Sequence, residues 1–105
     1  MTEWSEVGSA EGEDGEVRGT RVHGVYVVLA RAGGEWFALD DWCSHEECPL
    51  SDGWLEGAKI VCNCHGSEFD LRSGAALSGP ATEPVKTHPL RVVGGRIEIE
   101  IEAEA

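Results

Sequence analysis

Apolar and charged residues alternate most regularly near the carboxyl-terminal end of the chain. From Arg96 to Glu102 the alternation is unbroken, which places three isoleucines on one face of a strand and the charged side chains on the other. The apolar stretch Leu90 to Val93 and the turn Gly94-Gly95 come just before it, so the pattern predicts a hairpin. No stretch of useful length repeats with the period of a helix.

Short apolar stretches between turns predict strands along the rest of the chain. These strands are predicted at 4–7, 16–23, 25–30, 36–39, 60–61, 69–71 and 75–77. The glycine-containing turns at 32–35 and 72–74 join two pairs of them into hairpins. The segment 78–84 carries two prolines and a glycine, so it cannot be a central strand. The pattern therefore predicts an all-β domain of short antiparallel strands.

The length of the chain, 105 residues, suits a single domain over 1–105 with one modest core. Its longest apolar run, Val25 to Ala30, is far too short to span a bilayer. Its first residues lack the basic and apolar segments of a signal peptide. We therefore expect a cytoplasmic protein with no membrane contact.

The charge of the chain is strongly negative. Twenty acidic residues against 8 basic residues give a formal net charge of -12. Such a charge works against binding to nucleic acid or to an anionic membrane surface, and it favours a partner with a basic docking face. The alternative interpretation is that the acidic residues only keep the chain soluble.

Four potential metal ligands lie in two short motifs, Cys43-x-His45 and Cys62-x-x-His65. Thiolate and imidazole ligands suit iron or zinc, whereas calcium and magnesium prefer oxygen. Two Cys and two His can form a structural zinc site, but zinc motifs usually pair Cys with Cys and His with His. Mixed motifs are what a two-iron, two-sulfide cluster needs when its Cys ligands hold one iron and its His ligands hold the other. The motifs thus favour such a cluster and leave zinc as the alternative.

The two motifs and their surroundings resemble a known family. Cys43 to Leu50 and Cys62 to Asp70 are similar to the two cluster loops of Rieske proteins, and Gly79 to Thr82 resembles the family's proline loop. The likeness extends over roughly Trp36 to Val93. It implies a small antiparallel β-sandwich or barrel of Rieske type, with a cluster-binding subdomain over about 40–83.

The resemblance also implies the cofactor and its ligands. It implies one [2Fe-2S] cluster, with Cys43 and Cys62 on one iron and His45 and His65 on the other. Pro80 would lie in the proline loop that packs beside the cluster.

Two cysteines, Cys48 and Cys64, are not used by that ligand set. Cys43 and Cys48 have the first spacing of a plant-type ferredoxin, but the second spacing is missing because Cys62 and Cys64 stand only two residues apart. In quinol-oxidising Rieske proteins, cysteines at the matching positions form a disulfide between the loops. Reduced thiols are the alternative, which a cytoplasmic location favours.

Several residues near the ligands distinguish branches of the family. Glu46 and Glu47 make the cluster tip acidic, where the quinol-oxidising branch usually has leucine after the first His. Ser67 matches a serine that bonds a bridging sulfide, whereas Phe69 replaces a tyrosine that donates to a ligand cysteine. Fewer donors leave more negative charge on the cluster, which lowers its potential. The pattern therefore resembles a ferredoxin that feeds an oxygenase.

The resemblance implies an electron-transfer component and not an enzyme. It would carry one electron from a flavin-containing NAD(P)H reductase to a ring-hydroxylating dioxygenase in aromatic hydrocarbon catabolism, and we expect a monomer. The alternatives are a small Rieske subunit of a nitrite reductase and a zinc-stabilised interaction domain without a redox role. Of the remaining notable residues, Trp42 and Trp54 border the first cluster loop and are predicted to pack in the core, with shielding of the cluster as the alternative. His23 and His88 are predicted to be surface strand residues.

Overall fold

A computed structural model describes residues 2–42, 48–64, 66–79 and 82–102. Within these ranges, eleven strands and a 3₁₀ turn at Leu50–Asp52 form the regular structure. The strands are β1 (Thr2–Ser9), β2 (Val17–Val22), β3 (Val25–Ala32), β4 (Glu35–Asp40), β5 (Trp54–Glu56), β6 (Lys59–Val61), β7 (Glu68–Asp70), β8 (Ala76–Ser78), β9 (Thr87–His88), β10 (Leu90–Val93) and β11 (Arg96–Glu102). None of the described residues belongs to a helix that is long and apolar enough to cross a bilayer.

The strands form three antiparallel sheets, which confirms the predicted all-β class. One sheet has the order β1-β11-β10, the second β2-β3-β4-β9 and the third β5-β6-β7-β8. The predicted hairpins are present as β3–β4, β7–β8 and β10–β11. That the whole chain forms one domain stays a prediction.

The second sheet is buried on both of its faces, as β3 shows. Its residues Val27 to Ala30 are almost fully inaccessible to solvent. Because side chains alternate between the faces of a strand, Val27 and Leu29 point one way and Val28 and Ala30 the other. The first pair belongs to a buried cluster with the three isoleucines of β11. The predicted isoleucine face therefore packs on this sheet, and each isoleucine contributes about 1.5–3 kcal/mol by its burial.

The opposite face of the second sheet packs on the third sheet. Val28 and Ala30 lie in a second buried cluster with Ile60 of β6 and Phe69 of β7. The same cluster also contains Leu39, Cys48, Leu50, Cys62, Leu71 and Val85. Cys48 and Cys62 are thus held within the apolar core.

The two tryptophans beside the ligand motifs do not pack in the core, so that prediction is wrong. Trp42 and Trp54 are 44% and 46% exposed. Leu55 packs against the second buried cluster, so the alternation of β5 turns Trp54 to the other face of the sheet. There its indole N–H donates to Glu56 Oε2 at 2.8 Å. Trp42 follows the end of β4 and contacts the ring of Tyr26 edge to face, with 5.9 Å between centroids.

The two histidines outside the motifs also differ from the prediction. His88 is a strand residue of β9, but it is only 8% exposed, and its Nε2 lies 2.7 Å from Asp40 Oδ1. A carboxylate partner allows an imidazole to be buried without losing a hydrogen bond. His23 is exposed, as predicted, but it lies in the turn between β2 and β3, with a φ of 51°.

Candidate metal centre

The residues on either side of the first motif are held together by a small hydrogen-bonded network. The carboxylate of Asp41 accepts from the Ser51 N–H at 2.6 Å and from the Ser51 hydroxyl at 2.7 Å. The Asp41 carbonyl accepts from the Leu50 N–H at 2.6 Å. One residue further on, Trp42 and Pro49 form an antiparallel bridge. This network closes the base of the segment 43–47, which carries two of the predicted ligands.

Asp41 is buried, and its burial raises the pKa of its carboxyl group above the ordinary value. The hydrogen bonds from Ser51 act in the opposite direction because they stabilise the ionised form, while the charge of Asp52 adds to the rise. The backbone of β2 passes close by, and a Cβ added to Gly19 would lie 3.0 Å from Ser51 Oγ. Neither Asp41 nor Ser51 was among the residues predicted from the sequence. The one available signal was an acidic residue between the end of an apolar strand and the first ligand motif.

The second motif begins where β6 ends. Cys62 follows Val61 directly, is 1% exposed and donates its N–H to the Ser67 carbonyl at 2.8 Å. In return, the Gly66 N–H donates to the Cys62 carbonyl at 3.0 Å. Strand β7 then begins at Glu68, which pairs with Val61. The two strands thus hold Cys62 and Ser67 in a fixed register.

A disulfide joins the two predicted cluster loops. Cys48 and Cys64 are bonded to each other, with their Cα atoms 6.4 Å apart and a sequence separation of 16. By loop-closure entropy such a crosslink contributes about 3 kcal/mol to stability. Two cysteines that are bonded to each other are not thiolate ligands, so the bond speaks against the plant-type ligand set. The sequence left open whether these two cysteines form a disulfide or remain thiols. In this structure they form a disulfide.

The described residues place part of the predicted site. Cys62 directly follows β6, Ser67 directly precedes β7 and Phe69 lies on β7, and all three are buried. The remaining predicted site residues lie outside the described residues; they are Cys43, His45, Glu46, Glu47, His65 and Pro80. The donor set of two thiolates and two imidazoles, on segments joined by a disulfide, fits a [2Fe-2S] cluster. The assignment of individual ligands stays a prediction.

The segment that contains Pro80 is fastened to the β7–β8 hairpin at both of its ends. At one end, Ser78 pairs with Glu68 of β7. At the other, the Val85 N–H donates to the Gly74 carbonyl at 2.9 Å. Gly74 has a φ of 77°, and an added Cβ would overlap the Val85 carbonyl oxygen, so this position requires glycine.

Comparison with known proteins agrees with this arrangement. A family model of the Rieske [2Fe-2S] domain matches residues 3–89. The chain belongs to the Rieske [2Fe-2S] domain family. This membership confirms the predicted cofactor, one Rieske-type cluster, and decides against the zinc alternative.

Curated relatives of this Rieske protein are similar over most of their length. It is 39% identical to the ferredoxin component of the naphthalene 1,2-dioxygenase system of Pseudomonas aeruginosa. The match extends over 88 residues, which are 84% of this chain and 85% of the relative. It is 34% identical to the anthranilate 1,2-dioxygenase ferredoxin subunit of Burkholderia cepacia, over 96% of the chain and 94% of the relative. Ferredoxins are electron carriers, so the prediction of a carrier and not an enzyme is confirmed.

Solved structures share the fold. A chain in the complex of reduced oxygenase and oxidised ferredoxin of carbazole 1,9a-dioxygenase superposes with a TM-score of 0.85 at 30% identity, covering 90% of this chain and 99% of that one. A putative NADH-dependent nitrite reductase small subunit from Mycobacterium tuberculosis has a TM-score of 0.87 and covers 99% of both chains, but at 21% identity. The second likeness shows the fold alone.

Proposed function

We propose that this Rieske protein carries single electrons in the cytoplasm, from a flavin-containing NAD(P)H reductase to the terminal oxygenase of a ring-hydroxylating dioxygenase system. The observation that supports this most directly is similarity to dioxygenase ferredoxins over 84% and 96% of the chain. A related chain is found in a solved complex with an oxygenase. The donor, the acceptor and the location are the parts of this proposal that go beyond the family.

In this proposal Cys43 and Cys62 hold one iron, and His45 and His65 hold the other. The bound cluster supplies a site that gains and loses one electron. Two thiolates leave the oxidised site neutral, whereas four would leave it a dianion, so the histidines make it easier to reduce. The chain holds the Cys62 backbone between β6 and β7 by two hydrogen bonds, which limits the reorganisation of this ligand during electron transfer.

The acidic surface predicts how fast electrons pass to the partner. The net charge is -12, and Glu46 and Glu47 lie beside the predicted ligand His45. If the partner presents a basic face, the rate of electron transfer measured by stopped-flow absorbance should fall as salt is added, because the attraction is screened over about 10 Å at 0.1 M salt.

Charge-matched variants separate docking from solubility in that experiment. Replacing Glu46 and Glu47 with glutamine should lower the rate and flatten its salt dependence. Replacing Glu11 and Glu13, whose side chains are exposed in the loop after β1, removes the same charge and should change the rate little. Equal effects of the two pairs, or a rate indifferent to salt, would leave the acidity as a solubility feature.

The reduction potential should respond to residue 69. Phe69 is fully buried in the same group of apolar core residues as Cys62, and its side chain offers no hydroxyl donor. We expect a wild-type potential nearer to about -150 mV than to +300 mV, the limits of the Rieske range. In Phe69→Tyr, a charge-assisted hydrogen bond of roughly 1.5 kcal/mol would raise the potential by some tens of millivolts, as measured by protein-film voltammetry.

The other phenylalanine of the chain is the control for this prediction. Phe37 borders a cavity near Gly57 and Ala58, at the turn of the β5–β6 hairpin and away from the end that carries Cys62. Phe37→Tyr should therefore leave the potential unchanged. A wild-type potential near the top of the range would contradict the oxygenase-ferredoxin assignment and favour the quinol-oxidising branch.

Reconstitution tests the proposed function as a whole. Purified reductase, this chain and a naphthalene- or anthranilate-type terminal oxygenase are mixed with NADH, and hydroxylated product is measured. Product formation should depend on this chain and should disappear when it is omitted. A chain that accepts electrons from reductases but supports no oxygenase, and instead supports a nitrite reductase, would overturn the proposal.

A further inference from the structure

Three sulfur atoms meet at the junction of the two motifs. The Sγ atoms of Cys48, Cys62 and Cys64 all lie within 4.8 Å of one another. Cys62 is outside the disulfide, and it is buried together with Cys48. Cys64 is exposed, so one end of the disulfide faces solvent and is open to reagents. The disulfide therefore lies beside a cysteine that the cluster is proposed to use.

Reduction of the disulfide would change what this junction can bind. A dithiol reductant transfers two electrons and two protons to the Cys48–Cys64 bond, which breaks to give two thiols while the dithiol closes to a cyclic disulfide. The two new thiols and Cys62 then bring three cysteine sulfurs together. A tetrahedral ion with metal–sulfur bonds of about 2.3 Å needs sulfurs about 3.8 Å apart, a separation below the 4.8 Å limit found here.

We propose that the dithiol-reduced, cluster-free chain binds a thiophilic divalent ion such as Zn²⁺ or Cd²⁺ through Cys48, Cys62 and Cys64. Thiolates select such soft or borderline ions. With the disulfide intact, two of the three sulfurs are withheld, and the site does not exist.

The proposed ion site shares Cys62 with the [2Fe-2S] cluster if Cys62 is a cluster ligand, an assignment that rests on the proposed function. The ion and the [2Fe-2S] cluster then exclude each other, because both need the same sulfur. In this arrangement the disulfide protects the cluster site from incorrect metals by keeping the other two thiolates out of reach.

The test uses Cd²⁺ as the probe and a chain that lacks one of the proposed cluster ligands, Cys43. The full-length variant Cys43→Ser keeps the three sulfurs and lacks the remaining cysteine. It is reduced with a dithiol, freed of the dithiol by anaerobic gel filtration and titrated with Cd²⁺ while the ultraviolet sulfur-to-cadmium band is recorded. The reduced form should bind one ion with the band of three thiolates, at least about tenfold more tightly than the disulfide form. Equal affinity in the two forms would overturn the proposal.

A matched variant checks which sulfurs are used. Cys48→Ser combined with Cys64→Ser keeps Cys43 and Cys62, so its Cd²⁺ band should be smaller and should not change with dithiol treatment. A band as large as that of reduced Cys43→Ser would place the ion on the cluster ligands and reject the site. Because the Cys43→Ser titration involves no cluster, its failure would leave the electron-carrier proposal intact, whereas that proposal fails in the reconstitution assay.

Discussion

We expect that replacing His65 with alanine will abolish the electron paramagnetic resonance signal of the Rieske cluster. Replacing His45 with alanine should do the same. An imidazole on one iron distinguishes this centre from an all-thiolate cluster and sets its g-values and potential. Alanine offers no donor, so the iron would lose a ligand and the cluster would be lost or altered. The measurements are the electron paramagnetic resonance signal of the dithionite-reduced protein and the iron content per chain.

The control for this prediction follows from the structure. His23 lies in an exposed turn, where its Nε2 is 3.1 Å from Ser5 Oγ, so His23→Ala should leave the signal intact. His88 is a poorer control, since removing a buried imidazole would leave Asp40 without this partner and would destabilise the fold. Loss of the signal in His23→Ala would contradict the ligand assignment.

The second large effect is expected at Gly53, which lies between the two ligand motifs in the sequence. Gly53 follows the 3₁₀ turn and donates its N–H to the Leu50 carbonyl at 2.9 Å. Its φ of -89° is open to any residue, so conformational freedom does not explain the glycine. A Cβ at this position would overlap the carbonyl oxygen of Val61, the residue that precedes Cys62. The absence of a side chain is what lets the end of β6 lie against the residue that follows the 3₁₀ turn.

Gly53→Ala should therefore destabilise the protein by about 3 kcal/mol, the upper part of the range for overpacking a close contact. Urea unfolding followed by circular dichroism measures this as a lower midpoint with an unchanged slope. The variant should also retain less iron, because Cys62 directly follows the strand that would be displaced.

A second glycine of the same hairpin separates the steric effect from backbone strain. Gly57 has a φ of 62° and open space around it, so Gly57→Ala adds only the strain of a left-handed residue, about 1 kcal/mol. If Gly53→Ala costs no more than Gly57→Ala, the contact with Val61 is not what requires glycine.

Local patterns were enough to predict the cofactor and nine of the eleven strands in the described residues, whereas β5 and β9 were not predicted. The alternation of Arg96 to Glu102 determines which residues of β11 face inward, because the period of a strand leaves no other arrangement of three isoleucines. The mixed motifs around Cys43 and Cys62 indicate the cluster type, since ligand chemistry depends on residue type and order. Both signals lie within a few neighbouring residues, which is why the sequence alone carries them.

Contacts between residues distant in sequence were decided only by the tertiary structure. The bonding of Cys48 to Cys64 depends on how two loops meet, and the spacing of the cysteines was compatible with thiols as well. His88 is buried because β9 pairs with β4 and brings it to Asp40, 48 residues away. Likewise, Gly53 depends on a strand that follows it. Residue type and local period do not encode such approaches, because each depends on which strands and loops meet in the folded chain.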